Sequence, residues 1–446
     1  MPLTVLGDTD VNRILHSLTR DDILELQQSL ADALHWYSTS NDANDCCSDF
    51  QPERTHLRRK DGSTTLFMPA SGITGQGVKV VSIVPPDADP LSGLPVLAEN
   101  LSIGSDQSSV SSPRSSMSTA SATNNFTPSS PPRTASSAAS IDTPTSTGHA
   151  SLSSAPPSAA ASAVSTIRGS LTLLDSQGNT TGLLNASELT AFRTALASTM
   201  LLKKRSSVHD LTVFGAGKQA YWHIRLAMLL RPGEIHHLNI VTRNFETARA
   251  CILRLYNPQH DDPSYVNAVG SSYNSKMKAN LLTPMHTEYE RLLKEYVRAA
   301  NAAIGSYKPH MIELHPDIVR NAVAPHHEHK HHHKRQKEGG AVIVDTVSGC
   351  LKEAGEVIQA KLLPDQVVEL GELFMLKREA MSKAAAKGVK VDGGCAFQEN
   401  SGLLEWLTKG NVIYKSVGLG LMDVVVGGEL VRMARERGIG TTIEGF

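Results

Sequence analysis

The sequence predicts an α/β protein built on a doubly wound parallel sheet and carrying one long disordered insertion. Three observations predict it. From Asp210 onward, short apolar runs alternate with helical stretches, the βαβα rhythm of a parallel sheet covered on both faces. A glycine-rich turn, Gly215-Ala-Gly217-Lys218-Gln219-Ala220, stands between the first of those strands and its helix. From about Leu101 to Ser165, Ser, Ala, Thr and Pro dominate and aromatic residues almost vanish. That composition cannot bury enough apolar surface to offset its ordering entropy.

The 446 residues leave room for two ordinary domains and an insertion. With 43 basic and 44 acidic residues, there is no electrostatic case for nucleic acid or an anionic membrane as partner. No apolar run approaches the roughly 20 residues that span a bilayer. The first residues lack the basic-then-apolar order of a signal peptide. Five cysteines are scattered, only Cys46 and Cys47 are close, and no CxxC spacing occurs. Reduced thiols in the cytoplasm are the expectation.

The elements follow in order. Residues 8–37 read as helical, with Thr9-Asp10 as a cap and Leu24, Leu26, Leu30, Ala33 and Leu34 as a buried stripe. Residues 51–84 read as strands, Leu66 and Met68 alternating on one side of the turn at 71–75 and Val78 and Val80 on the other. After the insertion, a strand and turn begin at Gly169, and a helix from Glu188 to Leu202 has Ser187 as its candidate cap. Leu211–Phe214 is a strand, Gln219–Leu230 a helix, Leu238–Val241 a strand and Glu246–Tyr256 a helix. Further strands are expected at Leu281-Leu282, Ala302–Gly305, Ala341–Asp345 and Asn411–Val417, with helices at His286–Ala300 and Leu421–Arg437.

The chemistry begins at the glycine turn. Gly215 permits the tight bend, Gly217 lets backbone approach a pyrophosphate, and the small Ala220 lets helix and strand pack closely. The helix N-terminus then offers unpaired N–H groups to phosphates. The second strand ends in Thr242-Arg243-Asn244. An acid here suits the ribose 2′-hydroxyl of NAD, whereas an arginine suits a 2′-phosphate. Arg243 therefore favours NADP(H), with NAD(H) the alternative.

Several blocks together resemble the ornithine cyclodeaminase and mu-crystallin family. They include Gln51-Pro-Glu-Arg54-Thr, Leu66-Phe-Met-Pro, Gly77-Val-Lys79-Val, Leu189-Thr-Ala-Phe-Arg193-Thr194-Ala, Ala303-Ile-Gly-Ser-Tyr307-Lys-Pro, the run from Val344 to Glu356, and Ile413-Tyr-Lys415-Ser416-Val417-Gly. The resemblance implies a Rossmann-type domain, residues 204–375, inserted in an α+β substrate and dimerisation domain. Residues 1–100 and 166–203 form the first part of that domain and 376–446 complete it, so a homodimer is implied. It also implies roles. Arg54 and Arg193 resemble the arginines that hold the substrate carboxylate, a task that suits the guanidinium fork. Arg193 is also placed beside the cofactor. Lys79 resembles the lysine beside the reacting nitrogen, Thr194 and Ser416 resemble cofactor contacts, and Val417 a wall of the substrate pocket.

Two departures refine the expectation. The cyclodeaminases carry an acid/base Asp where this chain has Tyr307, and a phenol with pKa near ~10 is a poor base at neutral pH. Ketimine reductases resembling mu-crystallin also lack that Asp, so the resemblance points to NAD(P)H-linked reduction of a small imino acid. Cyclodeamination of ornithine to proline is one alternative, and a non-catalytic ligand-binding homologue another. The second departure lies at Ala300, where helix runs directly into strand. About 30 residues, one strand unit of the usual βαβ length, are missing there. The tract His326–Arg335 resembles a metal-binding run, but its interspersed lysines and Arg335 favour a solvated loop, and no metal is expected.

Overall fold

A computed structural model of the protein describes residues 2–39, 51–72, 75–84, 166–256, 264–269, 277–282, 300–306, 308–323, 341–374 and 401–446. The expected insertion at 101–165, Cys46 and Cys47, the helix before Ala300, Tyr307 and the histidine tract lie outside these residues.

The chain opens with β1 (Leu3–Leu6), α1 (Asp8–Ser17) and α2 (Arg20–Thr39). The cap of α1 differs from the expectation. Gly7 is the N-cap, and the Asp10 carboxylate accepts its backbone N–H at 2.9 Å, so Asp10 closes the turn from inside the helix. Strands β2 (Thr55–Arg58), β3 (Thr64–Gly72), β4 (Gly75–Val84), β5 (Thr166–Leu174) and β6 (Thr180–Asn185) follow. With β14 (Thr441–Ile443) they form a seven-stranded sheet in the order β14-β1-β6-β5-β4-β3-β2, antiparallel except between β1 and β6.

Register decides which face of β4 is buried. Met68 stands opposite Lys79 and Leu66 opposite Val81. Directly opposed residues of an antiparallel pair point to the same face. The buried face of β4 therefore carries Gly77, Lys79 and Val81, while Val78 and Val80, expected as its alternating apolar positions, are half-buried. A lysine thus occupies an inward position between two small or apolar neighbours.

Helix α3 (Ala186–Leu202) is capped by Asn185, whose side chain accepts the Ser187 N–H; Ser187 is not the cap. It is buried along almost its whole length, which marks it as a central helix rather than a surface one. It packs along α4 (Lys218–Leu230). Strands β7 (Asp210–Phe214), β8 (His237–Val241) and β9 (Lys278–Leu282) form a parallel sheet in the order β7-β8-β9, with α5 (Phe245–Tyr256) crossing between the last two.

A second parallel sheet has the order β10-β13-β11-β12, from β10 (Ala300–Ala303), β11 (Val342–Val344), β12 (Val367–Glu369) and β13 (Val412–Lys415). Helices α6 (Pro316–Val323), α7 (Val347–Glu353), α8 (Gly355–Ala360) and α9 (Ser401–Lys409) belong to this part of the chain. Among the described residues no strand joins β7 to β10, and β7 is half-buried or exposed throughout. Helix α10 (Gly420–Arg437) returns to the seven-stranded sheet and packs on β3, β4 and β5 beside α2 and α3.

Candidate functional site

The site is assembled where β4, α3 and α10 meet. Lys79 leaves the inward face of β4, and its Nζ donates to Asp423 Oδ1 at 2.8 Å. Arg193, from the middle of α3, donates its Nε to the same oxygen at 3.2 Å. All three side chains are buried, with exposures of 2%, 5% and 0%. Two cations therefore share one carboxylate away from water. Burial pushes the Lys79 ammonium down to about 8; Asp423 opposes that, and the charges of Arg193 and Arg54 add to it.

Arg54, in the segment before β2, stands at the mouth of a neighbouring cavity. Its Nε donates to Glu353 Oε1 at 3.0 Å, its terminal nitrogen pairs with the other carboxylate oxygen, and the same nitrogen reaches the Val417 carbonyl at 3.3 Å. Tyr37, Met68, Thr346, Val417 and Gly418 are among the residues that line the same cavity. Arg54 is thus neutralised by Glu353, whereas the Lys79–Arg193 pair retains an excess positive charge.

A loop connects the two groups. Asp345, at the end of β11, accepts the Ser416 hydroxyl at 2.6 Å and the backbone N–H groups of Val417 at 3.2 Å and Gly418 at 2.8 Å. Gly418 has φ +92°, and a Cβ there would lie 3.1 Å from an Arg193 guanidinium nitrogen. The bend that leads into α10 therefore needs glycine for its backbone and for room beside the arginine. Sequence reading gave Asp345 and Asp423 no role. The available signal was an acid inside the apolar run Leu421–Val426, because a buried charge needs partners.

The glycine turn leads into α4 beside the start of α3, where Lys218 reaches Ser187 and Glu188. Gly215 has φ +101°, and its N–H donates to Val241 at 2.7 Å, tying the turn to β8. Gly217 is the N-cap of α4, in an extended conformation. A Cβ at either glycine would meet nothing within 4 Å, so the turn keeps an open side where backbone can approach a ligand. Ala220 is buried and Gln219 half-buried; Lys218 is exposed and pairs with Glu188 at 2.9 Å. Beyond β8, Thr242 is buried, Arg243 is exposed, and Asn244 accepts the Glu246 N–H at the start of α5. These residues fit a dinucleotide: glycines with free space, a helix N-terminus and an exposed guanidinium after the second strand. Thr194 donates to the Thr190 carbonyl within α3, and Ser416 is held by Asp345.

Among the described residues, only His209, Asp210 and His237 gather as metal-type donors. They are exposed or half-buried at the N-terminal ends of β7 and β8, where imidazole–carboxylate pairing accounts for them.

The pattern of the ornithine cyclodeaminase/mu-crystallin family matches residues 144–366. A Δ1-pyrroline-2-carboxylate reductase of Bacillus cereus is 28% identical over 287 residues, 63% of this chain and 75% of that one. Among solved structures, the Thermococcus litoralis Δ1-pyrroline-2-carboxylate reductase in complex with NADH and L-proline aligns with a TM-score of 0.54 at 15% identity, over 98% of this chain and 99% of that one. An archaeal alanine dehydrogenase dimer with bound NAD aligns with a TM-score of 0.56 at 14% identity, over the whole of both chains. The two structures share the fold.

Proposed function

We propose, on the premise that this chain belongs to the ornithine cyclodeaminase/mu-crystallin family, that it reduces a small cyclic imino acid to the corresponding amino acid with a nicotinamide cofactor. The observation that carries the reading is the buried pair Lys79 and Arg193 around the single carboxylate of Asp423. Its excess positive charge is matched by a substrate carboxylate, because a buried charge is stable only when paired. The cofactor, when bound, supplies hydride to the imine carbon. Arg193 and Arg54 orient the carboxylate, and the Lys79 ammonium delivers a proton to the nitrogen. The 28% identity to a Δ1-pyrroline-2-carboxylate reductase supports this substrate class.

The finer features belong to the same proposal. Arg243, exposed where a 2′-phosphate would lie, supports NADP(H) over NAD(H). A groove lined by Trp36 of α2, Leu174 of β5, and Val425, Val431 and Arg432 of α10 supports a homodimer. The buried free thiols Cys251 and Cys350 suit the reducing cytoplasm. We assign residues 1–100, 166–203 and 376–446 to the substrate and dimerisation domain and 204–375 to the cofactor domain. Thr194 and Ser416 line the cofactor, and Val417 the substrate.

The test is cofactor oxidation by the purified full chain with Δ1-pyrroline-2-carboxylate and its six-membered homologue. Imine-dependent oxidation is expected. Ammonia release from ornithine without it would establish cyclodeamination instead. Cofactor binding with neither reaction would establish a ligand-binding homologue, a reading supported by the lack of a strand joining β7 to β10 among the described residues.

A further inference from the structure

Asp423 lies in the first turn of α10, fully buried, and its two oxygens differ. Oδ1 accepts from Lys79 and Arg193, whereas Oδ2 is buried with no hydrogen-bond partner among the described residues. A buried carboxylate oxygen without a donor is an unfavourable arrangement that a ligand can relieve. Arg193 uses its Nε on Asp423, and one terminal nitrogen lies 3.6 Å from Met422 Sδ. The rest of its fork, beside the Cβ-free Gly418, remains for a carboxylate.

We propose that Asp423 is the shared counter-ion of the site, fixing Lys79 and Arg193 through Oδ1 and receiving the N–H of a bound amino or imino acid at Oδ2. The inference rests on the reading above for its ligand class. An α-amino or imino acid carries its nitrogen one carbon from its carboxylate, so one small molecule engages the Arg193 fork and Asp423 together. Charge supports the assignment. A protonated nitrogen at Oδ2 would be repelled by Lys79 and Arg193, the two cations held on Oδ1 of the same carboxylate from β4 and α3. Glu353 already pairs with Arg54, and Asp423 is the carboxylate that offsets the repulsion from Lys79 and Arg193. Asp423 is thus both a positioning residue for Lys79 and a selector for nitrogen-bearing acids.

The experiment uses the full chain and its Asp423→Asn and Asp423→Glu variants with two readouts. The first is the pH dependence of Lys79 acetylation by acetic anhydride, followed by peptide mass spectrometry. Loss of the carboxylate should move the midpoint from about 8 to below about 7, and Glu should restore most of it. The second is binding, in the presence of NADPH, of L-proline against cyclopentanecarboxylate, which has the same shape without nitrogen. The unmodified protein should prefer L-proline by at least ~10-fold, equivalent to one factor of ten in Kd. Asp423→Asn should abolish that preference while still binding cyclopentanecarboxylate. A preference that survives Asp423→Asn overturns the nitrogen contact. An unmoved Lys79 midpoint overturns the positioning role. If the unmodified protein binds neither acid, the imino-acid reading and the nitrogen contact both fall, and the Lys79 midpoint alone decides the remaining half.

Discussion

Gly215 and Gly217 stand two residues apart and answer to different forces. Gly215 has φ +101°, a conformation L side chains rarely adopt, so Gly215→Ala should destabilise the fold by roughly 1–3 kcal/mol. Gly217 is extended at φ −82°, and a Cβ there meets nothing. Gly217→Ala should therefore keep the melting temperature within a few degrees, the entropic gain being opposed by a poorer N-cap for α4, yet bind dinucleotide at least ~10-fold more weakly if backbone approaches the pyrophosphate there. Thermal melts with a fluorescence titration of NADPH check both, and unaltered affinity in Gly217→Ala would remove the turn from the cofactor site. Arg243→Asp should narrow or reverse a preference for NADPH over NADH; equal affinities in the unmodified protein would refute the assignment. Lys79 links the site to pH. Its value of about 8 lies below the ordinary 10.5. Any turnover that needs the ammonium should fall as pH rises through about 8. Stability should move the other way. Between about 8 and 10.5 the unfolded chain holds the proton more tightly, so the folded state gains as pH rises across that window. Lys79→Met should lower kcat by at least ~100-fold, the usual contribution of a positioned acid. Unaltered kcat in that variant would refute the donor role.

At the scale of elements, the hairpin of β4 and β5 sets a further expectation. Val84 and Thr166 are opposed in register at its open end. The 81 residues between them therefore connect two points already side by side, the separation that a two-residue turn spans. Replacing 85–165 by Asn-Gly should keep the melting temperature within a few degrees, because loop-closure entropy varies slowly with length. A large loss of soluble, folded protein would show that the segment contributes contacts to the fold. The pairing of β4 with β3, on its other side, explains why Lys79 is inward. Alternation alone allows either face of β4 to be buried, and Val78 and Val80 are the more apolar set. Pairing with Leu66 and Met68 selects the other face, and Asp423 on α10 supplies the partner that makes a buried lysine tolerable.

Across the whole molecule, the two parallel sheets bear on the proposed catalysis. Strand β7 pairs with β8 and β10 with β13, and among the described residues nothing joins β7 to β10. An inner strand of a parallel sheet is normally bonded on both sides. On the proposed cofactor site, the adenosine end from Gly215 to Asn244 lies on the β7–β8 sheet, and the nicotinamide end would border this gap among the described residues. Turnover with cyclic imino acids should therefore fall below the ordinary enzyme range of ~1 per second, and inserting a strand-and-helix unit before Ala300 should raise it. A rate well above that value in the unmodified chain would show the unit to be dispensable. The glycine turn, the strand–helix rhythm and the family motifs were legible in the sequence, because each depends on residues close together along the chain: a left-handed φ, a helix start, a period of two or 3.6. Sequence also placed Arg54, Lys79 and Arg193 as candidates. Tertiary structure alone decided that Lys79 and Arg193 share Asp423, that Glu353 neutralises Arg54, and that Asp345 holds the Ser416–Gly418 loop. Those pairings join residues 71 to 344 positions apart, and a carboxylate's partner at that separation is chosen by how strands and helices pack, not by anything its neighbours in sequence encode.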